Sequence, residues 1–160
     1  MEITYRLIKE SDNAGLSKVI KETLEALDLA LDGTVYTDKA TDFMFNAYQE
    51  LGSIYLIAEQ DGQILGGSGI APIPNQVKNY CELQRMFLNE EARGKGIGQA
   101  LMLMCLEFAK KYGYELVYLE TFASMDAARK LYERSGFEYI PESLGDTGHF
   151  SCDSFMTLTL

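Results

Sequence analysis

Arg93-Gly94-Lys95-Gly96-Ile97-Gly98-Gln99 sets three glycines at alternate positions between a strand-like run and an amphipathic helix. Glycine adopts φ > 0 and has no Cβ, so a bulky anion can come close to the main chain there. The orphan N–H groups and positive dipole of a helix start favour phosphate, and Arg93 and Lys95 add charge beside those donors. The chemistry these residues offer is a backbone cradle for a phosphorylated ligand.

Spacing decides which cradle it is. A G-x-G-x-x-G fingerprint read from Gly94 requires glycine where Gln99 stands, and G-x-x-x-x-G-K-S/T is absent from the chain. What remains is Q/R-x-x-G-x-G/A, met by Arg93, Gly96 and Gly98, which resembles the acyl-CoA pyrophosphate loop of the GNAT superfamily of N-acyltransferases. Ala128 through Phe137 follows the pattern A-x-x-L-Y-x-x-x-G-F, which resembles the second signature of that superfamily. The two stand in the expected order, and the resemblance covers about residues 53 to 140.

The resemblance implies a cosubstrate, acetyl-CoA, and a set of residues to hold it. Pantetheine would lie along the fourth strand on the main chain of Met86, Phe87 and Leu88, one of whose N–H groups would polarise the thioester carbonyl. The pyrophosphate would rest on Arg93, Gly94, Lys95, Gly96, Ile97, Gly98 and Gln99, with Ser124 and Ala127 contributing from the next helix start. Many family members carry Asn five residues past the strand-end Glu, where this chain has Met125, so Ser124 is expected to cap the helix in its place.

An amine attacks a thioester only when neutral, and a lysine-like ammonium has a pKa of about 10.4, so a general base is useful. Glu120 precedes Tyr132 by twelve residues, a spacing that resembles the Glu and Tyr pair of ribosomal-protein N-terminal acetyltransferases. Glu120 is the first candidate for the base, with Glu82 on the neighbouring strand as its rival. Tyr132 matches the position from which the family protonates the departing thiolate. His149 and Cys152 lack an evident third group that would make the thiol a nucleophile. Their loop, Gly145 to Cys152, is expected to lie over the acceptor, with Tyr36, Thr37 and Asp38 as further contacts.

The elements that must position these residues follow from periodicity. Glu2 to Ile8 alternates as a strand, and Asp12 to Leu31 repeats Leu16, Val19, Ile20, Leu24 and Leu27 as a helix capped by Ser11 or Asp12. Asp38 to Leu51 reads as a second helix. Strands are expected at Ser53 to Glu59, Gln63 to Ala71, Tyr80 to Leu88, Glu115 to Thr121, Phe137 to Ile140 and Ser154 to Leu160, with Asp61-Gly62 as a hairpin turn. Ile97, Leu101, Met104 and Phe108 mark one later helix, and Met125 to Ser135, stopped by Gly136, another. The class is α/β: a GNAT-like mixed central sheet of about seven strands flanked by about four helices. The family fold implies a V-shaped opening between the fourth and fifth strands.

A chain of 160 residues suits one domain, residues 1–160, without repeats or linkers. Its 14 basic and 24 acidic residues give a net charge of −10, which repels nucleic acid and anionic lipid and could concentrate a cationic amine. The start of the chain lacks a signal-peptide pattern and no apolar run is long enough for a membrane span, so a cytoplasmic protein is expected. Three cysteines without metal-type spacing predict neither disulfides nor a metal site. The leading expectation is acetyl transfer to a primary amine of a small molecule or peptide, by a monomer or homodimer. A non-catalytic acyl-CoA sensor would keep the glycines but would not need Glu120 and Tyr132. An interaction domain with no CoA site would make the Arg93 to Gly98 spacing accidental.

Overall fold

A computed structural model describes residues 2–74, 78–145 and 149–160. Seven strands form one sheet: β1 (Thr4–Leu7), β2 (Ile54–Gln60), β3 (Gln63–Pro72), β4 (Tyr80–Leu88), β5 (Leu116–Thr121), β6 (Glu138–Ile140) and β7 (Ser154–Thr159), in the order β1-β2-β3-β4-β5-β7-β6. Four α-helices accompany it: α1 (Asn13–Ala26), α2 (Met44–Ala47), α3 (Ile97–Tyr112) and α4 (Asp126–Arg134). This is the mixed α/β sheet expected, and among the described residues its one parallel pairing is β4 with β5.

Alternation along the strands sorts the core into two layers. Leu56 and Ala58 of β2, Cys81 and Leu83 of β4, and Val117 and Leu119 of β5 pack on one face against Ile97, Leu101, Met102 and Cys105 of α3. Tyr55 and Ile57 pack on the other against Leu16, Ile20 and Leu24 of α1. Leu131 and Tyr132 of α4 join the α3 layer.

The N-terminal helices depart from the periodic reading. α1 stops at Ala26 rather than near Leu31, because Asp28 turns into the left-handed region at φ 57° and Leu29 N–H bonds back to the Leu24 carbonyl at 2.8 Å. That is a Schellman ending with Asp where glycine is the usual signal. The helix expected over Asp38 to Leu51 is instead a 3₁₀ turn, Lys39–Asp42, followed by the four-residue α2. Asp38 caps the first through the Ala40 N–H at 2.9 Å, and Asn13 takes the Phe45 N–H at 2.8 Å, so side chains rather than helix bonds satisfy this backbone. Asp12 stands at the N-cap of α1 as expected, but its side chain makes no cap bond there: its oxygens accept from Arg6, at 2.8 and 2.9 Å, and one also from the Lys9 N–H at 2.7 Å.

Two irregularities prepare the site. β4 and β5 are in register only from Tyr80 to Glu82, opposite Leu116 to Tyr118, and then separate. Beyond Glu82 the β5-facing edge of β4 has no strand partner among the described residues. Toward β3, Gly67 pairs with Phe87 and Gly69 with Gln84, so Ser68 opposes both Arg85 and Met86 in a bulge. Arg85 takes the strain at φ 49°. The extra residue flips the alternation: Cys81 and Leu83 face α3, and so do Met86 and Leu88, while Phe87 returns to the α1 side.

Candidate active site

Separation of β4 from β5 leaves a gap in the sheet, and two hollows meet in it. One is a cleft of about 360 Å³ on the α3 side, between the starts of α3 and α4. The other is a cavity of about 70 Å³ on the α1 side, reached by Glu82, Arg85, Glu120, Tyr132, His149 and Cys152. Met86, Phe87 and Met125 line both.

The cleft gathers most of the residues expected to hold acyl-CoA: Met86, Phe87, Leu88, Arg93, Gly94, Gly96, Gly98, Gln99, Ser124 and Ala127 all line it. Gly94 and Gly96 stand at φ 74° and 76°, and a Cβ on either would meet nothing within 4 Å. Their backbone therefore faces open space, as a cradle for a large anion requires. α3 starts at Ile97, so its first N–H groups have no helical acceptor, and the residues present fit a pyrophosphate. Gly98 serves packing as well, since a Cβ there would lie 3.3 Å from Leu131 and 3.5 Å from Leu88. Ile97 is instead buried in the core, and Lys95 is exposed outside the cleft wall. Ser124 does not cap α4, whose N-cap is Met125 with no side-chain cap bond. Thr23 and Leu27 from α1 and Arg134 from α4 complete the wall. The first two are brought there by tertiary packing alone, while Arg134 shares a helix with the second signature.

The cavity gathers ionisable side chains within a largely apolar wall. Glu82, 4% exposed, accepts a hydrogen bond from Gln84 Nε2 at 2.5 Å. Burial raises its carboxyl to about 7; Glu120 pushes further upward, while Gln84, His149 and Arg85 oppose the rise. Glu120 receives the Tyr118 hydroxyl at 2.7 Å, and burial with this bond holds the Tyr118 phenol well above its usual range. Tyr132 comes from the α4 side of the sheet, its ring edge-on to Phe137 at 6.0 Å, and burial raises its phenol to about 12. The opening is thus what lets a phenol on one face approach carboxylates on the other.

A relay of side chains unseen in the sequence runs behind this cavity. Arg85 Nη2 donates to Asp38 at 2.7 Å and its Nη1 to the Tyr48 hydroxyl at 3.3 Å. Tyr48 donates to Gln84 Oε1 at 2.7 Å, and Gln84 bonds Glu82. The clue available was Arg85 itself, a charge inside the strand run Leu83 to Leu88.

His149 Nε2 lies 2.9 Å from Asp38, whose carboxyl falls to about 2 under that bond first, the Ala40 N–H and Arg85 adding to it against burial. Burial, aided by Glu120, lifts the Cys152 thiol to about 12, so it stays protonated and is a poor nucleophile. Of the other expected acceptor contacts, Tyr36 points its hydroxyl at Glu25, 3.1 Å away, and Thr37 lines neither hollow. Within the loop expected over the acceptor, Asp146, Thr147 and Gly148 lie outside the described residues. Among the described residues no cluster of His, Cys, Asp or Glu is arranged to hold a metal, and no helix is long and apolar enough to cross a membrane.

Comparison with known proteins points the same way. The acetyltransferase (GNAT) family model matches residues 21–137. Over 149 residues the chain is 37% identical to the uncharacterized N-acetyltransferase YjgM of Escherichia coli K12, covering 92% of this chain and 89% of that one. It is 36% identical over 130 residues to the N-acetylaspartate synthetase of Rattus norvegicus, but that match spans only 41% of the longer relative. The PaiA N-acetyltransferase of Thermoplasma acidophilum, solved in complex with coenzyme A, superposes with a TM-score of 0.78 over the whole of both chains at 20% identity, a likeness of fold.

Proposed function

The chain belongs to the acetyltransferase (GNAT) family, and from that premise we propose that it moves an acetyl group from acetyl-CoA to a primary amine of a small molecule or peptide by direct attack. The observation that carries this reading is the junction of the two hollows at Met86, Phe87 and Met125. A donor in the cleft and an amine in the cavity would meet there, with β4 main-chain N–H groups at the carbonyl. That a protein of the same fold, the Thermoplasma PaiA N-acetyltransferase, was solved in complex with coenzyme A supports an acyl-CoA donor.

Glu82 acts as the base. Its carboxyl near 7 is ionised often enough at neutral pH to accept a proton and is basic enough to hold it. Glu120, ranked first on spacing, acts as the neighbouring charge that keeps Glu82 basic. Amine nitrogen attacks the thioester carbon, the oxyanion rests on a β4 N–H, and the nitrogen's surplus proton passes to Glu82. The C–S bond then breaks, and Tyr132 gives its phenolic proton to the thiolate and is reprotonated from solvent. A phenol near 12 facing a thiol near about 8.5 makes full transfer uphill by roughly 5 kcal/mol, so hydrogen-bond donation to sulfur as the bond breaks is the larger part of its help.

A thermal melt with and without acetyl-CoA tests the donor half. Ligand at about a hundred times Kd adds roughly 2.7 kcal/mol, or roughly 5–10 °C for a chain of this size. The shift is expected in the native protein and absent in Gly96→Glu, and release of CoA with an amine panel tests the transfer. An unmoved melting curve at millimolar acetyl-CoA removes the proposal.

A further inference from the structure

Arg85 occupies a position that a strand does not ordinarily give to a charge. Its side chain is 6% exposed, its backbone is left-handed at φ 49°, and the Tyr55 hydroxyl holds its carbonyl at 2.7 Å. Strain of this kind persists where the surroundings over-determine it, and bulges commonly re-aim a side chain. Here the re-aimed group is a guanidinium in the wall of the acceptor-side cavity.

A guanidinium carries five N–H donors. Asp38 takes one from Nη2, itself shared with His149, and Tyr48 takes one from Nη1 at the long distance of 3.3 Å. The Nε–H is buried and has no partner among the described residues. An unpaired buried donor on a charged group is costly, so its presence beside a cavity points to an acceptor that arrives with a ligand.

We infer that the amine acetylated by this protein also carries a carboxylate, and that Arg85 binds that carboxylate. The inference rests on the acetyl-transfer reading above and narrows its substrate to an amino-acid-like zwitterion. Glu82 and Glu120 serve the amino end and Arg85 the acidic end, with Tyr48 and Gln84 bridging the two groups. A cavity of about 70 Å³ suits a compact head group. A zwitterion also approaches a chain of net charge −10 without the long-range repulsion that a simple anion meets.

The test is CoA release by the full chain with acetyl-CoA and the common L-amino acids, each beside its neutral α-amide, together with ethylamine and spermidine. At least one acid is expected to exceed its amide in kcat/KM by on the order of a hundredfold, the range for a buried charged donor left unpaired. Arg85→Gln is expected to bring that ratio within about threefold, and Arg85→Lys to leave an intermediate value, because a point charge keeps attraction but loses the fork. The acetyl-CoA melting shift checks that each variant is folded. Should Arg85→Gln fail to fold, the wild-type acid-to-amide ratio and Arg85→Lys decide.

Equal use of acid and amide, or a preference that survives Arg85→Gln, overturns the inference. Turnover of ethylamine or spermidine alone overturns it while leaving acetyl transfer standing. No turnover of any amine overturns it too, and the acetyl-CoA melting shift then separately decides the donor half of the parent reading.

Discussion

A carboxyl group that burial keeps protonated at pH 5 and that ionises by pH 8 affects catalysis and stability in opposite directions. Glu82 binds a proton in the folded state that the unfolded chain has released between 4.5 and about 7. Its contribution to stability is therefore full below about 4.5 and is lost as pH rises through about 7. Glu82→Gln, a neutral near-isostere, should melt progressively higher than the native protein between pH 5 and pH 8, by up to roughly 3 kcal/mol. Parallel melting curves across that range would remove the raised carboxyl from the account. In activity, kcat/KM should rise with pH through about 7 in the native protein, and Glu82→Gln should lower its plateau on the order of a hundredfold. Glu120→Gln should instead move the rising limb to lower pH, because it removes the like charge that holds Glu82 up. An exchange of those two outcomes would assign the base to Glu120. Tyr132→Phe should cost on the order of tenfold or more in kcat with the acetyl-CoA melting shift intact, since the hydroxyl meets no partner among the described residues and touches no cleft function.

At the scale of elements, the β4 bulge and the β4–β5 separation set the geometry, and Gly66 on β3 lets the strand lie close against the end of β4 beyond the bulge. A Cβ at Gly66, which stands at φ 154°, would collide with the Phe87 carbonyl oxygen and come within 2.9 Å of Leu88 Cα. Gly66→Ala should therefore destabilise the fold by roughly 3 kcal/mol and impair both hollows together, because Phe87 lines each. A urea titration gives the first number, and a folded variant with native kcat/KM would show that this close approach of β3 to β4 is not needed. Gly96→Glu belongs to the opposite class: the Cβ meets open space, so the melting temperature without ligand should fall by only a few degrees while donor binding is lost.

Across the whole molecule, the donor is anionic and the chain carries a net charge of −10, so local cations must reverse a repulsive field. Arg93 and Arg134 on the cleft wall, and exposed Lys95 beside it, are placed to do so. Lys95→Glu should raise the KM for acetyl-CoA several-fold at about 10 mM salt, and the deficit should shrink markedly by about 0.5 M, where the Debye length is only about 4 Å. A salt-independent deficit would mean direct contact rather than steering.

The residues themselves pointed to the cleft proposed for the donor. Arg93 to Gly98 and Ala128 to Phe137 are local patterns, and a glycine cradle at a helix start is built from neighbours in the chain, so its place and chemistry could be read from spacing. Strand β4 was legible to the residue for the same reason, its apolar run being bounded on both sides. Local signals failed where side chains from distant segments did the work of local ones. Asp28 ended α1 in place of a glycine, and Asn13 capped α2 from thirty-two residues away. Around the acceptor-side cavity the sequence named Glu82, Glu120, Tyr132, Asp38 and His149, but only the tertiary structure added Arg85, Tyr48 and Gln84 and joined them. The bulge at Arg85 resets which face Met86 meets, the parting of β4 from β5 lets Tyr132 reach across the sheet, and Asp38 and Tyr48 converge on Arg85 while His149 bonds Asp38. Burial, which lifts Glu82 toward neutrality, is a property of everything packed around a group, and no pattern along the chain encodes it.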